Sequence, residues 1–108
     1  MKTFTLGNSD QQVLELIPDK RIKLVSVGSN QVCVSRIGKK FYAFQKLCPH
    51  RMASLNEGFV TNFEEVVCPL HQYRFDLNTG EVRAGSCESL LVYKAELTSS
   101  GLLIQLPQ

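Results

Sequence analysis

Two short boxes in the middle of the chain combine cysteine, proline and histidine. The first box reads C-P-H over residues 48–50, and the second reads C-P-L-H over residues 68–71. The boxes contain both histidines of the chain and two of its four cysteines. Each offers one thiolate and one imidazole, which are ligands of iron–sulfur and zinc chemistry. The pattern predicts a compact metal centre held between two loops, with four candidate ligands: Cys48, His50, Cys68 and His71.

The order and spacing of these ligands resemble the signature of the Rieske family. That signature is C-x-H, a spacer of about fifteen to seventeen residues, and C-x-x-H, and seventeen residues separate the two boxes here. The resemblance implies a [2Fe–2S] cluster in which one iron takes two cysteines and the other takes two histidines. It therefore implies that Cys48 and Cys68 hold an inner iron, and that His50 and His71 hold an outer iron nearer solvent.

A single zinc ion on the same four ligands is the alternative. Zinc accepts two cysteines and two histidines tetrahedrally, although structural zinc sites favour C-x-x-C knuckles over C-x-H. The remaining cysteines, Cys33 and Cys87, are interpreted as small packing residues, because free cysteines are commonly buried.

Several positions depart from the high-potential Rieske proteins of respiration and photosynthesis. Those proteins carry an extra cysteine in each box, joined as a disulfide, where this chain has Ala53 and Leu70. They also place serine and tyrosine hydroxyls near sulfur, at positions that correspond to Tyr73 and Phe75. Fewer hydroxyl donors stabilise the reduced cluster less, so the resemblance implies a potential in the lower part of the range of about −150 to +300 mV. In these positions the chain resembles a soluble Rieske ferredoxin.

A third loop covers the cluster in the family and usually contains prolines, whereas this chain has Gly85, Ser86 and Cys87 there. Apolar side chains in or beside the boxes allow two interpretations. If Met52, Leu70 and Leu55 are exposed, they form an apolar docking rim, and if they are buried, they shield the cluster.

The function that the resemblance implies is one-electron transfer without catalysis. A flavoprotein reductase would supply the electron, and an oxygenase or another redox acceptor would receive it, through transient docking. We do not expect an autonomous oxygenase, because the chain has no third histidine for the two-histidine, one-carboxylate iron site of such enzymes. Two alternatives stay open: a small subunit of a larger oxidoreductase of the nitrite reductase type, and a zinc-binding structural module.

Short alternating or β-branched runs must position the boxes. They are separated by turn sequences rich in glycine, serine and asparagine, which predicts hairpins. One brief helical pattern occurs near residues 10–19, where Pro18 interrupts it. The resulting prediction is an all-β fold, a Rieske-like antiparallel β-sandwich with a small cluster-binding subdomain formed by two loops at about residues 45–75. The predicted strands cover residues 22–27, 31–37, 40–44, 64–68, 73–77, 90–97 and 102–106.

Size and charge limit the remaining possibilities. The 108 residues suit one domain over 1–108, and the hydrophobic fraction of 44% supports one modest core. A net charge of +2 without long basic runs predicts no nucleic-acid partner. We find neither a signal peptide nor an apolar segment long enough for a membrane helix. We therefore expect a cytoplasmic protein without a membrane partner, in which the cysteines stay reduced.

Overall fold

Strands dominate the chain, which the computed structural model describes over residues 2–49, 52–70 and 72–107. Over those residues the elements follow one another in this order: β1 (Lys2–Leu6), α1 (Asp10–Leu16), β2 (Lys23–Val27), β3 (Asn30–Ile37), β4 (Lys40–Gln45), a 3₁₀ turn (Leu55–Glu57), β5 (Phe59–Thr61), β6 (Glu65–Val67), β7 (Arg74–Asp76), β8 (Val82–Ala84), β9 (Val92–Thr98) and β10 (Gly101–Leu106).

Six strands form the larger sheet, in the order β1-β10-β9-β4-β3-β2, with antiparallel neighbours throughout. Gly28 and Gly38 lie in the turns on either side of β3, and both have a φ of 63°. Glycine adopts this left-handed conformation without steric cost, so both hairpins can be tight. In this sheet β4 lies beside β9, although the four strands of the smaller sheet separate them in sequence.

Helix α1 packs against the larger sheet. Ser9 caps its start, with the Ser9 Oγ accepting from the Gln12 amide at 3.1 Å, and the helix ends two residues before Pro18. Val13 and the following Ile17 are buried beneath it. Together they form the first core with these residues of the larger sheet: Val27, Val32, Val34, Phe41, Ala43, Leu102, Ile104 and Leu106.

The smaller sheet is also antiparallel and has the strand order β5-β6-β7-β8. A second core unites it with β3 and β4 of the larger sheet and includes two of the cysteines from the boxes. The cysteine of each box, Cys48 and Cys68, therefore lies in the core that joins the two sheets. The buried members of this second core are Cys33, Tyr42, Phe44, Cys48, Leu55, Val60, Val66, Cys68, Phe75, Leu77 and Leu90.

Glu64, in the turn between β5 and β6, forms a polar junction between the two sheets. Its carboxylate accepts hydrogen bonds from Lys40 Nζ at 2.6 Å, from the Tyr42 hydroxyl at 2.5 Å and from Asn78 Nδ2 at 3.1 Å. Its backbone carbonyl accepts from the Leu77 amide at 2.9 Å. The bonds from Lys40 and Tyr42 lower the pKa of the Glu64 carboxyl to about 2. Lys40 and Tyr42 thus attach the turn between β5 and β6 to β4.

The predicted antiparallel all-β class is confirmed, and each predicted strand is present with bounds that agree to within two residues. The brief helical pattern is also present, as α1. Strands β1, β5 and β8 were not predicted. Both β5 and β8 contain three residues, which is too short for period-two patterning to stand out from a loop. Over the described residues, no helix has the length and apolar character that crossing a bilayer requires.

Candidate metal centre

The first box lies in a tight loop after β4. The Cys48 amide donates to the Ala53 carbonyl at 2.8 Å, and the Cys48 carbonyl accepts from the Met52 amide at 2.7 Å. An isolated bridge between Leu47 and Ser54 closes the base of the loop. Because hydrogen bonds across the loop hold its backbone on both sides, Cys48 presents its side chain in a fixed direction.

Cys68, the first residue of the second box, directly follows β6 in the hairpin between β6 and β7. The Cys68 amide donates to the Tyr73 carbonyl at 2.8 Å, directly beyond the last pair of the hairpin, Val67 and Arg74. Gln72 has a φ of 53°, in the left-handed region, where the chain reverses. Strand pairing thus fixes the backbone at Cys68, as cross-loop bonds fix it at Cys48.

An ionic network centred on the buried Glu65 supports this hairpin. Glu65 on β6 accepts hydrogen bonds from Thr61 Oγ1 at 3.1 Å and Arg74 Nη1 at 3.0 Å, and it pairs with Arg83 Nη1 at 3.4 Å. Arg83 also donates to Asp76 at 2.5 Å. Burial acts to raise the pKa of the Glu65 carboxyl, but these hydrogen bonds outweigh it, so the pKa lies below its ordinary value. The network joins all four strands of the smaller sheet.

The thiols of Cys48 and Cys68 meet inside the second core. Both residues have 0% exposure, and their side chains lie close together in that core. Burial, and then the neighbouring Cys48 thiol, raise the pKa of the Cys68 thiol well above its ordinary value. Cys68 therefore favours its protonated form unless a bound cation stabilises its thiolate. This is the chemistry of a sulfur-ligated metal site.

The two predicted histidine ligands, His50 and His71, lie outside the described residues. Over the described ranges no group of three His, Cys, Asp or Glu side chains could hold a metal ion. Of the four candidate ligands, the structure thus brings Cys48 and Cys68 together and locates the sulfur half of the predicted site.

The apolar side chains beside the boxes include both exposed and buried residues, so they fit both the docking interpretation and the shielding interpretation. Met52 is 64% exposed and Leu70 is 39% exposed, whereas Leu55 is fully buried in the second core. Each exposed residue belongs to one of the two box loops. Met52 and Leu70, which we call the apolar rim, are therefore the exposed side chains that the docking interpretation requires. Leu55 is buried in the core that contains Cys48 and Cys68, as the shielding interpretation requires.

A third loop, which we call the covering loop, comprises residues 85–91 between β8 and β9. Its Cys87 packs against the second core, which contains Cys48 and Cys68. Gln45 holds the far end of the covering loop. Its backbone amide donates to the Leu91 carbonyl at 3.0 Å, and its side-chain Oε1 accepts from the Leu91 backbone amide at 2.7 Å. The predicted third loop therefore lies beside the two thiols.

The remaining cysteines serve as packing residues, as predicted. Cys33 is fully buried on β3, Cys87 is partly buried, and all four cysteines are free. Burial raises the pKa of Cys33 to about 12, so this thiol is unreactive at neutral pH.

Sequence reasoning missed the contact between Tyr73 and Gly85. The Tyr73 ring occupies the space that a side chain at residue 85 would take. The antiparallel register that pairs Arg74 with Ala84 places residues 73 and 85 opposite each other. That register could have identified the contact if β8 had been recognised in the sequence.

The donor chemistry of the site fits a [2Fe–2S] cluster. Two preorganised thiols converge from separate loops in an apolar core that excludes water, and each loop also contains one histidine. Thiolates bind iron–sulfur clusters, and imidazoles replace two of them on one iron in Rieske centres.

Comparisons with known proteins agree with this chemistry. Residues 9–94 match the sequence profile described as Rieske [2Fe-2S] domain. The ferredoxin component of a naphthalene 1,2-dioxygenase system from Pseudomonas aeruginosa is 30% identical over 98 residues, which cover 90% of this chain and 93% of that protein.

Solved structures show the same fold. The ferredoxin of carbazole 1,9a-dioxygenase from Nocardioides aromaticivorans IC177 superposes with a TM-score of 0.80 and 27% identity, over 96% of this chain and 97% of that one. A structure described as a complex of reduced oxygenase and oxidized ferredoxin in carbazole 1,9a-dioxygenase contains a match with a TM-score of 0.77 and 26% identity, over 94% of this chain and 100% of that one.

A putative NADH-dependent nitrite reductase small subunit from Mycobacterium tuberculosis also has a TM-score of 0.80, over 99% of this chain and 97% of that one, but its identity of 18% shows the fold alone. The profile match, the ferredoxin relatives and the buried thiol pair lead to one conclusion: this chain belongs to the Rieske [2Fe–2S] domain family and has a Rieske-type [2Fe–2S] cluster as its cofactor.

Proposed function

We propose that this chain is a one-electron carrier whose cluster ligands are Cys48, His50, Cys68 and His71. The observation that carries the proposal is the contact between two fully buried thiols from separate loops, each loop also containing a histidine. By resemblance to the family, the cysteines hold the inner iron and the histidines hold the outer iron. When bound, the cluster accepts and releases a single electron.

The residues around the cysteines keep water from the sulfur side of the site. Leu55 and Phe75 are fully buried in the second core with both cysteines. Neither side chain has a hydroxyl, so neither can donate a hydrogen bond to sulfur. This supports the proposed potential in the lower part of the Rieske range of about −150 to +300 mV.

The apolar rim of Met52 and Leu70 provides the surface for electron exchange. Both exposed side chains lie within two residues of a proposed histidine ligand. An electron-transfer partner that docks on the rim would therefore approach the outer iron directly. Redox encounters use small interfaces of under about 1,200 Å², which suits a rim formed by two side chains.

The proposed donor is a flavoprotein reductase, and the proposed acceptor is an oxygenase or another redox protein. The naphthalene dioxygenase relative is a ferredoxin component, and the carbazole dioxygenase structure holds a ferredoxin with its oxygenase. The proposed location is the cytoplasm, whose reducing conditions keep Cys33 and Cys87 as free thiols. We also propose that residues 1–108 act as one domain.

Metal analysis of cysteine variants tests the ligand assignment. We expect about two irons per chain in the wild-type protein and a rhombic electron paramagnetic resonance signal after dithionite reduction. Cys48→Ala and Cys68→Ala, as well as His50→Ala and His71→Ala, should each lose the cluster. Cys33→Ala is the matched control because it removes a fully buried thiol from the same core. A colourless wild-type protein with one zinc would contradict the proposal.

A kinetic experiment tests the carrier role. In stopped-flow mixing, a flavoprotein reductase of a dioxygenase system should reduce the cluster, and the matching oxygenase should reoxidise it. Stable co-purification with a large catalytic chain would instead favour a small subunit of the nitrite reductase type. Reversible reduction without a stable complex is the result that we expect.

A further inference from the structure

The covering loop has little stiffness of its own. Residues 85–91 include a glycine and two serines but no proline, and glycine and serine leave the backbone free where proline would restrict it. The loop must therefore be held by contacts with its surroundings. Hydrogen bonds hold its far end, where the Leu90 amide donates to the Gly80 carbonyl at 2.8 Å and Gln45 binds Leu91.

At the near end the loop is held by the ring of Tyr73. A Cβ atom on Gly85 would overlap Cδ2 and Cε2 of that ring and would lie 2.7 Å from Cγ. The ring therefore lies directly on the backbone of Gly85. Gly85 also has a φ of +113°, a conformation that L-residues rarely adopt. The two residues fit each other only because one lacks a side chain and the other has a flat, rigid one.

Tyr73 is joined to the metal centre through its backbone. Its carbonyl accepts the hydrogen bond of the Cys68 amide at 2.8 Å. On the other side of the contact, Cys87 follows Gly85 by two residues and packs against the core that contains Cys48 and Cys68. Tyr73 thus connects the second box with the covering loop: its backbone bonds to Cys68, and its ring contacts Gly85.

We propose that Tyr73 is a positioning residue that clasps the covering loop over the cluster, through contact of its ring with the backbone of Gly85. This inference rests on the proposed ligand set. The clasp limits the access of water and small reagents to the cluster from the side of Cys87. Because the oxidised core with two thiolates has no net charge and the reduced core has one negative charge, water stabilises the reduced form more. Loosening the clasp therefore raises the potential and speeds cluster loss.

Variants at both positions test the clasp in the cluster-loaded protein. Tyr73→Ala should lose iron to an excess of ferrous chelator about tenfold faster than wild type, and its potential should rise. Tyr73→Phe keeps the ring and its contact with Gly85, so it should stay closer to the wild type than to Tyr73→Ala in both measurements. Equal rates and potentials for Tyr73→Ala and wild type would overturn the proposal, as would a Phe variant that behaves like the Ala variant.

A double-mutant cycle separates the ring contact from backbone strain. Gly85→Ala introduces both an overlap with the ring and an unfavourable φ, and the overlap disappears when Tyr73 is already alanine. Gly85→Ala should therefore speed iron loss more in the wild-type background than in Tyr73→Ala. Gly38→Ala is the matched control, because Gly38 also has a positive φ but no atom within 4 Å of a Cβ at that position. Equal effects of Gly85→Ala in both backgrounds would refute the contact.

Hydrogen exchange distinguishes failure of the clasp from failure of the proposed function. The iron content of the wild-type protein tests the cluster alone. Exchange of the peptide that spans residues 85–91 tests the clasp, since it should be faster in Tyr73→Ala than in wild type or in Tyr73→Phe. Slow exchange of that peptide in Tyr73→Ala would show that other contacts hold the loop.

Discussion

The junction at Glu64 predicts a measurable loss of stability in Tyr42→Phe. Tyr42 is 4% exposed, and its hydroxyl donates to a charged carboxylate at 2.5 Å. Hydrogen bonds to charged groups contribute about 1.5–3 kcal/mol. Because the Glu64 carboxylate keeps Lys40 and Asn78 as donors, we expect the lower end, about 1.5 kcal/mol, which lowers the Tm by about 6 °C in a chain of this size.

Urea unfolding under anaerobic conditions measures this loss, followed by far-ultraviolet circular dichroism and by the visible absorbance of the cluster. The matched control is Tyr93→Phe, which removes a tyrosine hydroxyl without a hydrogen-bond partner among the described residues. In a double-mutant cycle, Tyr42→Phe should cost far less when Glu64 is already glutamine. A loss below about 0.5 kcal/mol, or additive effects in the cycle, would refute the role assigned to the junction.

The same junction predicts a particular pH dependence. The pKa of Glu64 falls from its ordinary 4.5 to about 2 in the folded protein, chiefly because of the bonds from Lys40 and Tyr42. A carboxyl whose folded pKa is depressed stabilises the fold above its unfolded pKa and loses that contribution as the pH falls through both values. The stability difference between wild type and Glu64→Gln should therefore stay constant from pH 8 to pH 6 and shrink below about pH 4.5. A difference that grows on acidification would show the opposite linkage.

Three further changes give separate tests. Gly58→Ala should destabilise the fold by about 3 kcal/mol in urea unfolding, because its Cβ would overlap the carbonyl oxygen of Val67 although its φ is ordinary; near-wild-type stability would contradict that overlap. Glu65→Gln should cost about 2 kcal/mol in the same assay, because it removes the buried charge that two arginines pair with. Met52→Glu should slow electron transfer to the acceptor about tenfold in stopped-flow mixing while the reduced spectrum stays unchanged, and an unchanged rate would exclude the rim from docking.

Much of the scaffold was predictable from local patterns. Longer strands such as β3 and β10 alternate regularly, and glycines that need positive φ, such as Gly28 and Gly38, mark the turns between them. The candidate ligands were found from residue type and spacing, since histidine is rare in this chain and lies only in the two boxes. Local signals of this kind need no knowledge of the tertiary structure.

Contacts between distant segments could not be predicted from those patterns. The bond from Tyr42 to Glu64 and the packing of Tyr73 on Gly85 both depend on how short strands are placed in the smaller sheet. Three-residue strands carry almost no periodicity, so their register was invisible in the sequence. Whether Met52 was exposed or buried also depended on the path of a loop, and only the tertiary structure decided between these interpretations.

The adjacency of β4 and β9 has a consequence for assembly of the protein. The whole metal-binding segment, from the first box to the covering loop, leaves the larger sheet at one strand and returns at its neighbour. Pairing of Gln45 with Leu91 closes that segment at its base, and loop-closure entropy depends only weakly on the length enclosed. The first core, built on α1 and the larger sheet, includes neither Cys48 nor Cys68. We therefore expect a chain that has lost its iron to retain a folded base onto which a new cluster can be assembled.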